Sequence, residues 1–347
     1  KNMTKQPIPK FPKAQQISFL KKLHVDGQTL LLSVVFIVLL LFFSIAVQKF
    51  FTPRSITSMA FQLPELGILS LAMMITILCG GINLSVNATS NLAAVVAGLF
   101  LTRMVPTNLD PGLMGFYVIL AFVIAILVGF LCGILNGIMV GYIGVPPILA
   151  TLATFTFFTG ISTGLTKGVT VTGFPESVSI IGSKTIAGVP IPFVIFVLLT
   201  VLTYIILNHT PFGFKTRMIG TNPIAAEFSA VDNRKVLLGV YVLSGILSSV
   251  TGILVMSRTM SAAYEYGTTT YVLLTILISV LAGVIPGFGK VIDIFIAVLI
   301  LQVLSTGFHM LLTGIRGSSF FRDFAWGVLL ILIFIVNYFV RGRSRTD

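Results

Sequence analysis

TPFGFKTRMIGTNPIAAEFSAVDNRK, Thr210–Lys235, is the stretch that decides how the rest of the chain is read. Long apolar runs lie on both sides of it, and within it Lys215, Arg217, Glu227, Asp232, Arg234 and Lys235 stand together. A charge at the centre of a bilayer costs about 2.5–3.5 kcal/mol even on the lenient insertion scale. The stretch is therefore aqueous, and the runs around it are what crosses the membrane. Pro211-Phe212-Gly213 predicts a turn. Asn222 before Pro223 predicts a helix start, with Asn222 as cap and proline at the first helical position. Ile224–Val231 then gives about two turns, with Ile224, Phe228 and Val231 on one side. A short capped helix on an aqueous loop is either a docking knob or a solvated element without a partner, and local sequence leaves both open.

The composition agrees. Of 347 residues, 56% are hydrophobic and 9% charged, and mean hydropathy is +1.06. No soluble domain of this length is so poor in charge, so the fold class is an all-α polytopic membrane protein. The net charge of +12 points to anionic lipid and to membrane orientation, not to nucleic acid. The two cysteines, Cys79 and Cys132, lie in apolar context and predict free thiols.

Working outward, residues 1–28 are a polar, basic segment, 29–340 the membrane region and 341–347 a basic tail. Predicted spans are Thr29–Val47, two within Leu63–Met104, then Leu113–Tyr142, Pro147–Leu165, Ile191–Leu207, Val236–Ser257, Tyr271–Ile285, Val291–Thr313 and Phe324–Val340: about ten helices. Thr29–Val47 is expected to remain as an anchor, being too long for a cleaved signal. With an even number of spans, the side that carries both termini and the 210–235 loop collects fourteen of the 22 Lys and Arg residues. The excess predicts that this side is cytoplasmic.

Gly129, Gly133, Gly137 and Gly141 recur every fourth residue and predict a bare ridge for close helix packing, within one subunit or between two. Asn136 beside it is an expected interhelical hydrogen-bonder. Leu63–Met104 is interrupted at Gly80-Gly81-Ile82-Asn83-Leu84-Ser85. A rough counterpart, Ala282-Gly283-Val284-Ile285-Pro286-Gly287-Phe288-Gly289, sits at a comparable place late in the chain. Paired interruptions point to irregular backbone beside a pathway, by analogy with transporters built from repeats; ordinary surface loops would read the same way.

Several classes are disfavoured. Gly289-Lys290 lacks the other elements of a phosphate-binding loop, His24, His209 and His309 are scattered, and no catalytic set is visible. Glu65 and Asp293 are expected near span ends, leaving the spans without the buried ionisable groups that an ion-coupled carrier uses. The polar residues within spans are neutral. Asn83, Ser85, Asn87, Asn91, Asn136, Thr151 and Thr154, with Phe155 able to stack or gate, form a candidate lining for a neutral, hydroxyl-rich solute.

GGINLSV at Gly80–Val86, GILNGIMVGYIGVPPILATLAT at Gly133–Thr154 and the 210–235 loop, with its Gly220, Asn222, Ala225 and Ala226 core, together resemble the permease subunits of ribose-type sugar ABC importers, which are related to the branched-chain amino acid permeases. The resemblance covers roughly 61–338. It implies a bacterial inner-membrane subunit, not itself an enzyme, with both termini cytoplasmic. The implied partners are a second permease subunit, same or different, two cytoplasmic ATPases and an external solute-binding protein. No cofactor is expected on this chain; ATP and Mg²⁺ belong to the ATPase. The coupling residues it implies are Gly220, Asn222, Pro223, Ala225, Ala226 and Glu227. The sequence departs from the family pattern at Asn83, where aspartate is usual, at Asn87, where glycine is common, and in the acid-free segment Thr268–Gly289. The solute could then be a sugar, a nucleoside or a furanosyl signal molecule.

Overall fold

The computed structural model describes residues 27–106 and 110–312, together with positions 324, 327 and 328. Apolar runs whose backbone must satisfy itself in lipid become helices: α1 Gly27–Ala46, α2 Pro53–Leu78, α3 Val86–Arg103, α4 Pro111–Ile138, α5 Pro147–Thr166, α6 Ser179–Ser183, α7 Ile191–His209, α8 Pro211–Thr221, α9 Pro223–Phe228, α10 Asn233–Thr259, α11 Thr268–Leu281 and α12 Val291–Leu311. Among the described residues seven are long and apolar enough to cross a membrane: α1, α2, α4 with its terminal π turn, α5, α7, α10 and α12. The all-α polytopic class holds; the described residues do not confirm a count of ten. α3 carries too many polar residues, α11 has 14 residues, and Phe324–Val340 lies almost wholly outside the described residues, as do most of the basic segment 1–28 and the whole of the tail 341–347.

Small residues set the packing. A Cβ on Gly129 would collide with the Gly245 carbonyl and Ser249, one on Gly133 with Tyr241 and Val242, one on Gly137 with Leu238, and one on Gly141 would crowd the Arg234 carbonyl. The predicted ridge is therefore the face on which α4 lies against α10, within one subunit. Elsewhere Gly252 of α10 sits on the Ser90 carbonyl of α3, Gly67 of α2 lies under the Phe196 ring of α7, and Gly307 of α12 lies under Phe43 of α1.

The contacts define two ends of the bundle. At one, strand β1 (Val171–Thr172) pairs antiparallel with β4 (Ser261–Ala262), and Gly182 of α6 packs on Ser257–Arg258; β2 (Thr185–Ile186) and β3 (Val189–Pro190) form a hairpin nearby in the same loop. At the other lie the end of α4, the start of α10, α8 and the loop between α11 and α12.

Three expectations need correcting. Pro211-Phe212-Gly213 is not a turn between elements but the first turn of α8, because the Thr210 side chain accepts from the Gly213 N–H and caps it. The short helix ends at Phe228, not Val231, because the Ser229 N–H already closes onto carbonyls of its last turn and Ala230 takes φ 58°. The third concerns Glu65, which is not near the end of a span. α2 starts ten residues before the apolar run does, at Pro53, capped by Thr52. Glu65 therefore stands about 18 Å from one end of the helix and about 20 Å from the other, at 1.5 Å per residue. Asp293 does lie in the first turn of its helix, where it accepts from the Thr29 hydroxyl of α1 at 2.6 Å.

Candidate functional site

The two glycine-rich interruptions meet. α2 stops at Leu78, and Gly80 takes φ +89°, a conformation open to glycine. The Leu78 carbonyl, left without an in-helix donor, accepts from the Gly287 N–H at 2.9 Å. Gly287 itself has φ +81°. α8 seats on this junction. A Cβ on Gly220 would collide with the Leu78 carbonyl and meet the Gly287 nitrogen. Arg217 donates to the Gly289 carbonyl at 2.9 Å and to Asn208 Oδ1 at 3.1 Å, and its partial burial pulls its pKa down.

α9 projects from that base. Asn222 Oδ1 accepts from the Ile224 and Ala225 N–H groups, 3.0 Å each, with Pro223 in the first turn. Asn233 at the start of α10 donates to the Pro223 carbonyl at 2.9 Å, tying both ends of the turn down. Asp232 caps α10 through the Lys235 N–H at 3.2 Å, which holds its carboxyl below the usual range. The predicted coupling residues divide by direction. Gly220 and Ala226 face inward, and Ala226 is 1% exposed. Ala225 and Glu227 face outward beside Ile224 at 65% and Phe228 at 89%. An exposed phenylalanine and isoleucine on a clamped six-residue helix form a small apolar knob.

The predicted lining residues mostly hold one another. Asn83 donates to Ser244 of α10 at 3.0 Å and accepts from the Ser85 N–H and hydroxyl at 3.1 and 2.8 Å. Asn136 of α4 donates to the Ser85 hydroxyl at 2.8 Å and accepts from Thr154 of α5 at 2.6 Å. Thr151 donates to the Ile82 carbonyl at 2.9 Å and accepts from the Leu84 N–H at 3.1 Å. This buried network ties the first interruption to α4, α5 and α10. Phe155 is half-buried against Ala88, Leu92, Cys132 and Phe158.

Asn87 and Asn91 act elsewhere. Asn87 donates to the Tyr266 carbonyl at 2.8 Å, and Asn91 to the Tyr264 and Tyr266 carbonyls at 3.0 and 2.9 Å. They hold the loop after α10, whose Tyr266 hydroxyl donates to Glu65 at 3.1 Å. Glu65, 3% exposed, is paired with Arg258 from the last turn of α10 at 2.5 Å. Tyr271 also donates to Glu65 at 3.2 Å, and Arg258 donates to the Tyr266 hydroxyl at 2.9 Å. Sequence reasoning missed this cluster, because Glu65 and Arg258 lie 193 positions apart and Glu65 was expected near a span end. An available signal was the weak polarity of 53–62, which still carries enough good helix formers to extend α2.

A cavity of about 140 Å³ opens beside the cluster, lined by Gln62, Glu65, Arg258, Tyr271, Gln302 and Ser305 among others. A second space of about 500 Å³, sharing Gln62 and Ser305, continues to Lys49, Arg54 and His309.

The family profile described as "Branched-chain amino acid transport system / permease component" matches residues 55–337. The ribose import permease protein RbsC of Bacillus subtilis (strain 168) is 33% identical over 324 residues, 91% of this chain and 95% of that protein. The autoinducer 2 import system permease protein LsrD of Yersinia pestis (strain Pestoides F) is 28% identical over 287 residues, 80% of each; that of Yersinia pseudotuberculosis serotype O:1b (strain IP 31758) is equally similar. No solved structure matches.

Proposed function

The chain belongs to the family of branched-chain amino acid transport system permease components, and we propose that it is the membrane-spanning subunit of an ATP-driven importer for a sugar or sugar-like solute. As a member of that family it is a multi-pass transport subunit of the inner membrane and not an enzyme. The solute class follows the two kinds of relative, named for ribose and for autoinducer 2; the ribose permease, similar along nearly its whole length, favours a sugar, with a furanosyl signal molecule as the second reading.

The observation that carries the mechanism is the α8–α9 unit. α9 receives motion from a cytoplasmic ATPase that binds ATP and Mg²⁺. Its apolar knob, Ile224 and Phe228, enters a cleft on that partner with Ala225 and Glu227 at the rim. Gly220 and Arg217 pass the displacement to the Leu78–Gly287 junction, where α2, α11 and α12 begin or end. A second permease subunit completes the path, and an external binding protein delivers the solute at the opposite end. This orientation places both termini in the cytoplasm.

The test is Phe228→Asp. Phe228 is 89% exposed, so folded yield should match wild type while ATP-dependent uptake of D-ribose and co-purification of the ATPase are lost. Uptake and co-purification at wild-type levels would remove α9 from the mechanism. Ala226 is unsuitable, since a charge on a buried residue would test packing. Uptake that persists without ATP and collapses with an ion gradient would indicate a coupled carrier instead. In intact cells an impermeant thiol reagent should label Lys184→Cys and spare Glu227→Cys; the reverse would invert the orientation.

A further inference from the structure

We propose that the cavity walled by Gln62, Glu65, Arg258, Tyr271, Gln302 and Ser305 is a binding site for an uncharged, hydroxyl-rich solute inside the single subunit; this rests on the importer reading above.

Three observations meet there. A buried ion pair is a poor stabiliser, since well-packed apolar residues of similar volume generally do as well or better, so the Glu65–Arg258 pair, which joins the middle of α2 to the last turn of α10, needs a reason beyond folding. An intramembrane ionisable group of this kind marks a solute or ion pathway by default. Next, among the described residues the amides on the wall hold no two helices together. Gln302 donates to Thr306 of its own helix at 3.1 Å, and Gln62 to Ser58 of its own helix at 3.2 Å. They present polar groups to open space without serving the packing, unlike the amide of Asn136, which bridges two elements. Finally, the cavity has a way in. Through Gln62 and Ser305 it adjoins the larger space that ends at Lys49, Arg54 and His309, away from the end occupied by α8 and α9.

The chemistry of the wall selects the ligand. Its two charges are spent on each other, so neither a cation nor an anion finds an unpaired counter-charge. What it offers is carboxylate and hydroxyl acceptors, amide and guanidinium donors, and the side of the Tyr271 ring. Vicinal hydroxyls, each both donor and acceptor, can use such a set. At about 140 Å³ the space has room for several waters, which the hydroxyls of one small polyol can replace.

The experiment uses the full permease with its partner subunits in native membranes, and D-ribose as probe solute. Cys79 and Cys132 are buried, so Ser305→Cys supplies the accessible thiol. A membrane-impermeant methanethiosulfonate should modify it from outside and lower uptake about tenfold, comparable to one well-made neutral hydrogen bond. Gln302→Leu should lower uptake by a similar factor with the same amount of assembled, folded complex. If wild type imports D-ribose but Gln302→Leu and modified Ser305→Cys import equally well, the cavity assignment alone falls. It falls equally if Ser305→Cys is not modified. A wild-type complex with no ATP-dependent uptake of any neutral sugar would sink the importer reading, and this one with it.

Discussion

Two polar clusters are buried inside the helix bundle of this protein, and they are built on opposite plans. The first joins Ser244, Asn83, Ser85, Asn136 and Thr154 in an unbroken chain across α10, the first interruption, α4 and α5. Each bond in it joins groups that would otherwise be orphaned in an apolar interior. The second gathers Glu65, Arg258 and Tyr271 on the wall of a cavity, with Tyr266 bonded to Glu65 and with Gln62, Gln302 and Ser305 lining the same space. Both contain bonds between helices, and only the second holds an ion pair. What separates them most is the amides: those of Asn83 and Asn136 join different elements, whereas those of Gln62 and Gln302 bond within their own helices beside open space. The first kind is a rivet; the second is available to a solute.

The contrast can be broken most decisively on the closed side. Gly133→Leu forces α4 off α10, because its Cβ already meets the Tyr241 carbonyl at 2.6 Å and the Val242 Cα at 2.6 Å. A loss above about 3 kcal/mol should leave almost no folded protein by size-exclusion yield, while Gly115→Leu on the same helix, with nothing within 4 Å, should fold normally. Equal yields would mean that α4 and α10 are not packed this way. Next in size is Glu65→Leu, which strands Arg258 and should lower the unfolding free energy by about 3–5 kcal/mol. The double change Glu65→Leu with Arg258→Met should recover most of that stability but not uptake. Failure of the double variant to recover would show that the pair is a structural requirement and erase the distinction between the clusters.

Asn136→Leu removes two bonds of the closed network and leaves Ser85 and Thr154 short of a partner. The expected cost is about 1–3 kcal/mol, with uptake per folded molecule unchanged. Uptake lost at full stability would move Asn136 from rivet to lining. Smallest is Gln302→Leu, expected within about 0.5 kcal/mol of wild type in thermal unfolding, because among the described residues its amide bonds within α12. A larger loss would put Gln302 among the rivets.

Much of the fold was legible because it rests on local rules. The ridge at Gly129–Gly141 needs only a four-residue period, the start of α9 only Asn222 before Pro223, and the two interruptions only glycines in apolar runs. What those features pack against was not legible: that the ridge meets α10, or that Gly287 binds Leu78. The polar residues within spans were visible one by one, yet sequence could not show that Asn83 and Asn136 are linked through Ser85. Glu65 was misplaced for a physical reason. Hydropathy locates the apolar part of a helix, and α2 begins in 53–62, where serine and threonine are tolerated because that end of α2 lines the cavity mouth at Thr52, Ser55 and Ser58. The same polarity that marks the entrance hid the true start of the helix.

The hydrogen bond between Leu78 and Gly287 also has a consequence for biogenesis. Its partners are separated by more than two hundred residues, so the carbonyl at the end of α2 has left the ribosome long before its donor exists. Until Gly287 is made, that seam stays unfinished, and α8, which rests on it, has no floor. The last described helices are thus what locks the first ones, and a chain truncated before 287 should be recognised by quality-control proteases as incomplete even though most of its spans have been inserted.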